Sequence, residues 1–285
     1  MTSINVRLAS LLLVAGLFTF ASCSKENLED FASSESETWS LDASESVDQT
    51  VDDATFGRAG GGGAGMAGGA CNPMDNLPEC ATVTESGDSY PQTITIDFGD
   101  GCSGDRGREK AGQIIVSITA PMEQEGAVRT VSFNNFTVNG RPVSGTRTTT
   151  NIGTNESGYM TFAKEVNMTI ETRRGTVTRT FSGEKQWIAG YDTETCDDNV
   201  FLKTGSGSGT CHNGNTRSMT ITTPLLVDRS CGYITEGVIE MSSADKSGSI
   251  DFGDGTCDDV AVITRNGESR EIDLDEHRAR RFGRK

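Results

Sequence analysis

The sequence predicts an all-β domain: a large antiparallel meander that forms a curled sheet, a sandwich or a flattened barrel, after a disordered N-terminal tether. Three observations predict it. Apolar and polar residues alternate in successive runs between Ala81 and Leu274. Dipeptides that favour type I′ hairpin turns, Asn139-Gly140 and Asn266-Gly267, separate some of these runs. No stretch in this region has a convincing helical period, and strands joined by short turns pair in antiparallel order.

The runs predict about a dozen strands, too many for one flat sheet. Between Phe133 and Phe136 the alternation slips by one residue at Asn134-Asn135, which predicts a β-bulge. Arg174-Gly175 marks a further turn. The clearest alternating sets are Ile94, Ile96 and Phe98; Val166, Met168 and Ile170; and Met219 and Ile221.

Residues 1–22 have the pattern of an export signal. Arg7 supplies the positive start, an apolar run extends from Leu8 to Ala21, and Ala21-Ser22 are small residues suited to a cleavage point. The run is too short to span a bilayer comfortably, so a permanent transmembrane helix is disfavoured. We therefore expect a secreted or envelope protein.

The residues around Cys23 resemble a bacterial lipobox. Phe20-Ala21-Ser22-Cys23 match at the Ala, Ser and Cys positions, whereas Phe20 stands where Leu is usual. The resemblance implies that Cys23 becomes the first mature residue and carries acyl chains such as palmitate. It implies an outer-membrane lipoprotein, on the periplasmic or the cell-surface face. An ordinary signal peptide followed by a thiol is the alternative.

Residues 23–79 have the composition of a disordered, acidic and Gly-rich tether. Ten acidic residues and one lysine lie between positions 24 and 56, and eight glycines lie between 57 and 69. Much of the formal charge of −16 is therefore in this segment. The β domain, residues 80–274, stays mildly acidic, so we expect no nucleic-acid partner. Residues 275–285 form a basic tail, either solvated or docked on an acidic surface or lipid headgroups.

One motif occurs twice, near the two ends of the predicted β domain. Each copy contains a Cys, an aliphatic-Thr-Glu triplet, a variable loop, Ile-Asp-Phe-Gly-Asp-Gly and a closing Cys. The copies predict two disulfides by analogy, Cys80 with Cys102 and Cys231 with Cys257. Cys196 and Cys211 flank a candidate hairpin and form a plausible third pair, which leaves Cys71 over. We also expect the two copies to lie near each other and to help close the sheet.

The acidic residues of the repeated motif allow two interpretations. Asp97 and Asp100, like Asp251 and Asp254, bring carboxylates close together, as a calcium loop requires, but the helix-loop-helix spacing is absent. Gly-Asp-Gly at the end of a strand is also turn chemistry, and we favour that interpretation. Zinc is disfavoured because the chain has only two histidines and no Cys-x-x-Cys. We therefore predict no cofactor, with calcium as the weaker alternative.

Two resemblances follow from these residues. Asp-Phe-Gly-Asp-Gly resembles the signature of the PKD domain, a cell-surface β-sandwich, over five or six residues per copy, which implies a shared hairpin at most. Cys23, the Ile-Asp-Phe-Gly-Asp-Gly-Cys motif and the run from Thr223 to Val227 resemble uncharacterised Bacteroidota lipoproteins. That family implies no activity.

The sequence favours a non-catalytic envelope lipoprotein that presents a disulfide-stabilised β domain for structural or binding roles. His212 and His277 both lack the setting of a catalytic base, so we predict that the chain is not an enzyme. The expected partners are the membrane, through the lipid, and a protein or glycan. Alternatives are a glycan-binding protein that uses aromatics such as Trp187, a carrier of an apolar ligand, and a carboxylate-based hydrolase.

Overall fold

The computed structural model describes residues 44, 47–52, 55, 77–87, 89–103, 109–172, 175–193, 197–211, 214–244 and 246–274. Ser44, residues 47–52 and Thr55 are helical, and we call these residues the acidic segment. Most of the rest is strand. The strands are β1 (Thr82–Ser86), β2 (Gln92–Asp97), β3 (Cys102–Ser103), β4 (Glu109–Ile118), β5 (Val128–Val138), β6 (Arg141–Thr154), β7 (Met160–Thr172), β8 (Gly175–Ala189), β9 (Val200–Thr210), β10 (Thr216–Asp228), β11 (Ile234–Ser243), β12 (Lys246–Asp254), β13 (Val260–Arg265) and β14 (Glu268–Asp273).

All fourteen strands belong to one antiparallel sheet. Thirteen follow chain order from β1 to β14, and β3 pairs with β4 beside this path. The all-β meander is therefore confirmed. The edge strands β1 and β14 do not pair with each other, so the sheet is not closed into a barrel.

The predicted turns and the predicted bulge are present. Asn139-Gly140 and Asn266-Gly267 have positive φ at both central positions, as type I′ turns require. Ala111 pairs with Thr137 and Gln113 pairs with Asn134, so β5 carries one extra residue at the predicted bulge. Gly112 has a φ of 75°, and a Cβ there would lie 2.2 Å from the Asn135 carbonyl oxygen. The bulge therefore requires glycine on the opposing strand.

One face of nearly every strand is buried, although the described residues contain no second sheet that could cover it. The sheet therefore curls, so that side chains on this face cover one another. The buried side chains form two clusters. The first spans β2 to β10 with Val47 and Val51 of the acidic segment, and includes Ile94, Ile114 and Phe162. The second spans β10 to β14 and includes Ile239, Ile250, Phe252 and Ile263. Phe181 and Ile234 pack against both clusters.

The tether prediction is wrong for the acidic segment. Val47 and Val51 are each 1% exposed, and Asp48 and Asp52 are also buried, against the concave face of the sheet. The prediction failed because two valines are too few to reveal a docked helix by hydrophobicity. The rest of residues 1–76 and the basic tail 275–285 lie outside the described residues.

The hairpin expected between Cys196 and Cys211 is also wrong, because β9 runs unbroken from Val200 to Thr210. Its glycines are not turn residues. A Cβ on Gly205 would lie 2.5 Å from the Ser182 carbonyl oxygen, so glycine allows β8 and β9 to approach closely at this point. Cys196 lies outside the described residues, and the third disulfide stays a prediction.

The two motif copies build the same unit but do not close the sheet. Each is a hairpin, β1–β2 or β11–β12, tied by a disulfide, Cys80–Cys102 or Cys231–Cys257, as predicted. Outside its own hairpin, the first copy pairs with β4, and the second copy pairs with β10 and β13. No strand of one copy pairs with a strand of the other. The expectation that the copies meet to close the sheet is therefore wrong, since the meander places them toward opposite ends of the strand order.

Candidate anion-binding face

Five consecutive strands each place a buried basic side chain on the concave face. This burial is unusual, because lysine and arginine side chains are almost never fully buried unless they are paired with an anion. The five strands are β5 to β9. The five residues, each less than 10% exposed, are Arg129, Arg147, Lys164, Lys185 and Lys203, and we call them the cationic row.

The register of the sheet brings the cationic row together. Arg129 and Lys164 both pair with Thr149 of the intervening strand β6, so they lie level with each other. Lys185 pairs directly with Lys203. Like charges that face each other across strands are destabilising. The row is therefore stable only with anions placed among its members.

The acidic segment supplies those anions. Asp52 Oδ1 accepts a hydrogen bond of 2.8 Å from Arg129 Nη2, and Asp52 Oδ2 pairs with Lys185 Nζ. Asp48 pairs with Arg147 Nη2 at 2.5 Å and with Lys164 Nζ, while Lys203 Nζ lies 3.8 Å away. Two carboxylates one helical turn apart thus contact all five cations.

Neutral groups of the segment complete the contact. Thr50 Oγ1 accepts a hydrogen bond of 2.6 Å from Lys110 Nζ on β4. Thr55 Oγ1 accepts one of 2.7 Å from Arg129 Nη1. The Ser44 carbonyl oxygen accepts one of 2.9 Å from Arg147 Nη1. The segment is therefore held along its described length by charge-assisted hydrogen bonds.

Both carboxyl groups stay ionised when they are buried. Burial by itself raises the pKa of Asp52, but Lys185 and Arg129 outweigh it and lower the pKa to about 2. Burial also acts to raise the pKa of Asp48, whereas Arg147, Lys164 and Lys203 hold it well below the ordinary value. The pKa of Lys185 is lowered, because burial disfavours its ammonium more than Asp52 stabilises it. The face therefore binds carboxylates in their charged form.

This site was not predicted from the sequence, although a signal for it exists. Six residues of the acidic segment recur at the spacing of one helix face: Ser44, Val47, Asp48, Val51, Asp52 and Thr55. The cations also stand in the core-facing phase of their strands, as Lys164 does between Phe162 and Val166. A basic residue at a core-facing position in five successive strands predicts an anionic partner. The sequence does not show the strand register that brings these five residues together.

The structure separates the predicted site residues from this face. Asp97 Oδ1 accepts the Gly99 N–H at 2.8 Å, and Asp251 Oδ1 accepts the Gly253 N–H at 2.9 Å. Asp254 likewise accepts hydrogen bonds from Thr256. These are turn-forming contacts, as favoured from the sequence. Within the described residues no three His, Cys, Asp or Glu side chains are grouped to hold a metal ion. Cys23 lies outside those residues.

Trp187, the aromatic residue proposed for glycan stacking, is buried and does not present its ring to a ligand. Trp187 is 8% exposed, its ring packs against Phe201 at 5.6 Å between centroids, and its Nε1 donates to Asn199 Oδ1 at 2.9 Å. Its role is in the core beside the cationic row. Tyr191, by contrast, is 53% exposed.

No protein-family model, curated protein or solved structure matches this chain. None of the helical residues that the structure describes belongs to a helix long and apolar enough to cross a bilayer.

Proposed function

We propose that this protein is a non-catalytic lipoprotein of the cell envelope whose curled sheet is a binding scaffold for acidic segments. The observation that carries the proposal is the cationic row, which binds two carboxylates of a helical segment through five buried cations. In this chain the occupant is the protein's own acidic segment. A segment of another molecule with the same charges at the same spacing fits the same face.

The chemistry of the face favours binding over catalysis. A general base works best when its pKa is near the working pH, and a carboxyl group whose pKa is about 2 is a weak base at neutral pH. Asp52 and Asp48 are also paired with buried cations, which stabilise their ionised form. The same arrangement is well suited to holding an anion tightly.

The docked segment also sets how far the domain stands from the membrane. If Cys23 carries lipid, only residues 24–43 lie between the anchor and Ser44. Twenty residues span at most about 70 Å even when fully extended. The concave face is then held within that distance of the membrane surface, and release of the segment lengthens the connection by residues 44–76.

The binding role is tested by exchange of the segment in trans. A protease site is inserted at Gly60–Gly63 of a Cys23→Ala chain, and the purified protein is cleaved under native conditions. We expect the N-terminal fragment to co-elute with the β domain and to be displaced by excess synthetic peptide of residues 41–56. The matched control is the same peptide with Asp48→Asn and Asp52→Asn, which should not displace it. Equal displacement by both peptides, or immediate loss of the fragment, contradicts the proposal.

The anchor is tested separately in cells. We expect radiolabelled palmitate to be incorporated into the wild-type protein and not into Cys23→Ala. Continued labelling of that variant refutes Cys23 as the lipidated residue, and the binding role then stands without a lipid anchor.

A further inference from the structure

A cavity of about 70 Å³ adjoins the cationic row where the acidic segment begins. Ser44 and Asp48 of the segment form part of its wall. Its lining also includes the cations Arg147, Lys164 and Lys203, the same side chains that contact the Asp48 carboxylate. An anion that replaces the Asp48 carboxylate therefore lies within the field of these three buried positive charges.

The rest of the lining is mainly apolar, although Arg179, Glu184 and Lys185 also line the cavity. The apolar part includes Phe181, Leu225 and Ile234, with the half-buried Ile221. Phe181 and Ile234 pack against both core clusters, so this part of the lining follows the line between the two halves of the sheet. A charged end and an apolar path thus meet in one place.

We propose that this cavity is the head-group end of a binding site for a single-chain amphiphile with an anionic head. The inference rests on the proposed binding function of the concave face and names a second ligand class for it. The head occupies the position of the Asp48 carboxylate, and the chain lies along Phe181, Leu225 and Ile234. Carboxylate and phosphate heads share the chemistry that Arg147 and Lys164 recognise.

The amphiphile and the acidic segment compete for the face. An apolar cavity of about 150 Å³ holds a molecule the size of benzene. At about 70 Å³, the present cavity is too small for an alkyl chain while the segment is docked. The ligand must therefore displace at least the Asp48 end of the segment. The apparent affinity for the amphiphile equals the intrinsic affinity multiplied by the fraction of molecules in which the segment is undocked.

Competition predicts that weakening the segment strengthens binding. In the full Cys23→Ala chain, Asp48→Asn with Asp52→Asn removes both carboxylates from the competitor and leaves the cationic row intact. We expect dodecyl phosphate, titrated below its critical micelle concentration in a calorimeter, to bind this variant at least about tenfold more tightly than the parent chain. Glu240→Gln, an exposed position on β11, is the matched charge-removal control and should not change the affinity.

A second variant keeps the test independent of how well the first one folds. Ile221→Trp fills the apolar side of the cavity at a half-buried position, and it should abolish binding in the parent and in the carboxylate-free chain. Dodecyl maltoside, which has the same chain and a neutral head, should bind neither.

Several results would overturn this inference. They are an unchanged affinity in the Asp48→Asn, Asp52→Asn chain, equal binding of the neutral detergent, or full binding by the Ile221→Trp chain. The cleaved protein separates this failure from failure of the proposed function. Displacement of the fragment by the acidic peptide but not by dodecyl phosphate refutes the amphiphile site alone. Displacement by neither refutes both.

Discussion

The two halves of the sheet bury one face by different means. In β10–β14 the buried face is almost entirely apolar, and Arg265 is the one charged side chain among the described residues of β11–β14 that is buried. In β5–β9 every strand adds a buried cation to the apolar core, and a separate acidic segment covers them. The same alternation of residues thus builds one half that is self-sufficient and one that requires an anionic occupant.

The difference shows what selects the covering element. A purely apolar face would favour an apolar cover, whereas the cationic row favours a segment whose carboxylates match five cations. Removing one partner from a buried ion pair is strongly destabilising, because the remaining charge stays desolvated. Charge complementarity therefore docks a segment that contributes only two buried valines.

The largest effect is expected from a truncation in the apolar half. Ile250 is fully buried in the second cluster, so Ile250→Ala should lower the free energy of unfolding by about 4 kcal/mol, through lost burial and a residual cavity. Urea unfolding measures the loss, and Ser247→Ala, at an exposed position on the same strand, is the control. A loss below about 1 kcal/mol would show that the C-terminal half does not depend on its apolar core.

The next largest effect concerns the charged half. Asp52→Asn leaves Arg129 and Lys185 without their carboxylate, so we expect unfolding free energy to fall by about 3 kcal/mol. Glu240→Gln removes an exposed acid and should stay within about 0.5 kcal/mol of wild type. Equal, small effects for the two substitutions would remove the distinction between the halves.

The disulfides should affect the two halves alike. Cys80–Cys102 closes a span of 22 residues and Cys231–Cys257 one of 26. Loop-closure entropy then predicts a loss of about 3 kcal/mol for either pair of Cys→Ser substitutions. Unfolding of the two double variants under matched conditions checks this. A difference above about 2 kcal/mol would mean that one motif copy has a role that the other lacks.

The smallest effect is the pH dependence of stability that Asp52 contributes. The pKa of Asp52 is about 2 in the folded protein and about 3.8 in an ordinary environment. A depressed pKa contributes stability above the unfolded value, and that stability is lost as pH falls through the folded value. We expect the wild type to lose about 2 kcal/mol more than Asp52→Asn between pH 4 and pH 2, because Asp48 titrates in both proteins. Parallel pH profiles of the two proteins would contradict this cause.

The sequence was sufficient for the strands and turns because their causes are local. Alternation around Ile94, Ile96 and Phe98 reflects one buried face, and Asn139-Gly140 supplies the two positive φ angles that a tight hairpin needs. The analogy between the two motif copies also identified both described disulfides.

Features that depend on distant contacts were not predicted. The cations of the row are separated along the chain by whole hairpins, and only the register places Lys185 opposite Lys203. Docking of the acidic segment combines ion pairs to those cations with the burial of Val47 and Val51, and two valines alone give little signal in the sequence. A long meander closes into a barrel only if its two edge strands pair, and β1 and β14 do not pair with each other.

Amide hydrogen exchange of residues 47–52 tests the docking of the acidic segment most directly. At neutral pH we expect these amides to be protected in the wild-type chain and to exchange at least about 100-fold faster in the Asp48→Asn, Asp52→Asn variant. Amides of β11–β14 should keep their protection in both proteins. Exchange of residues 47–52 at the unprotected rate in wild type would contradict the account, because the segment would then not occupy the cationic row.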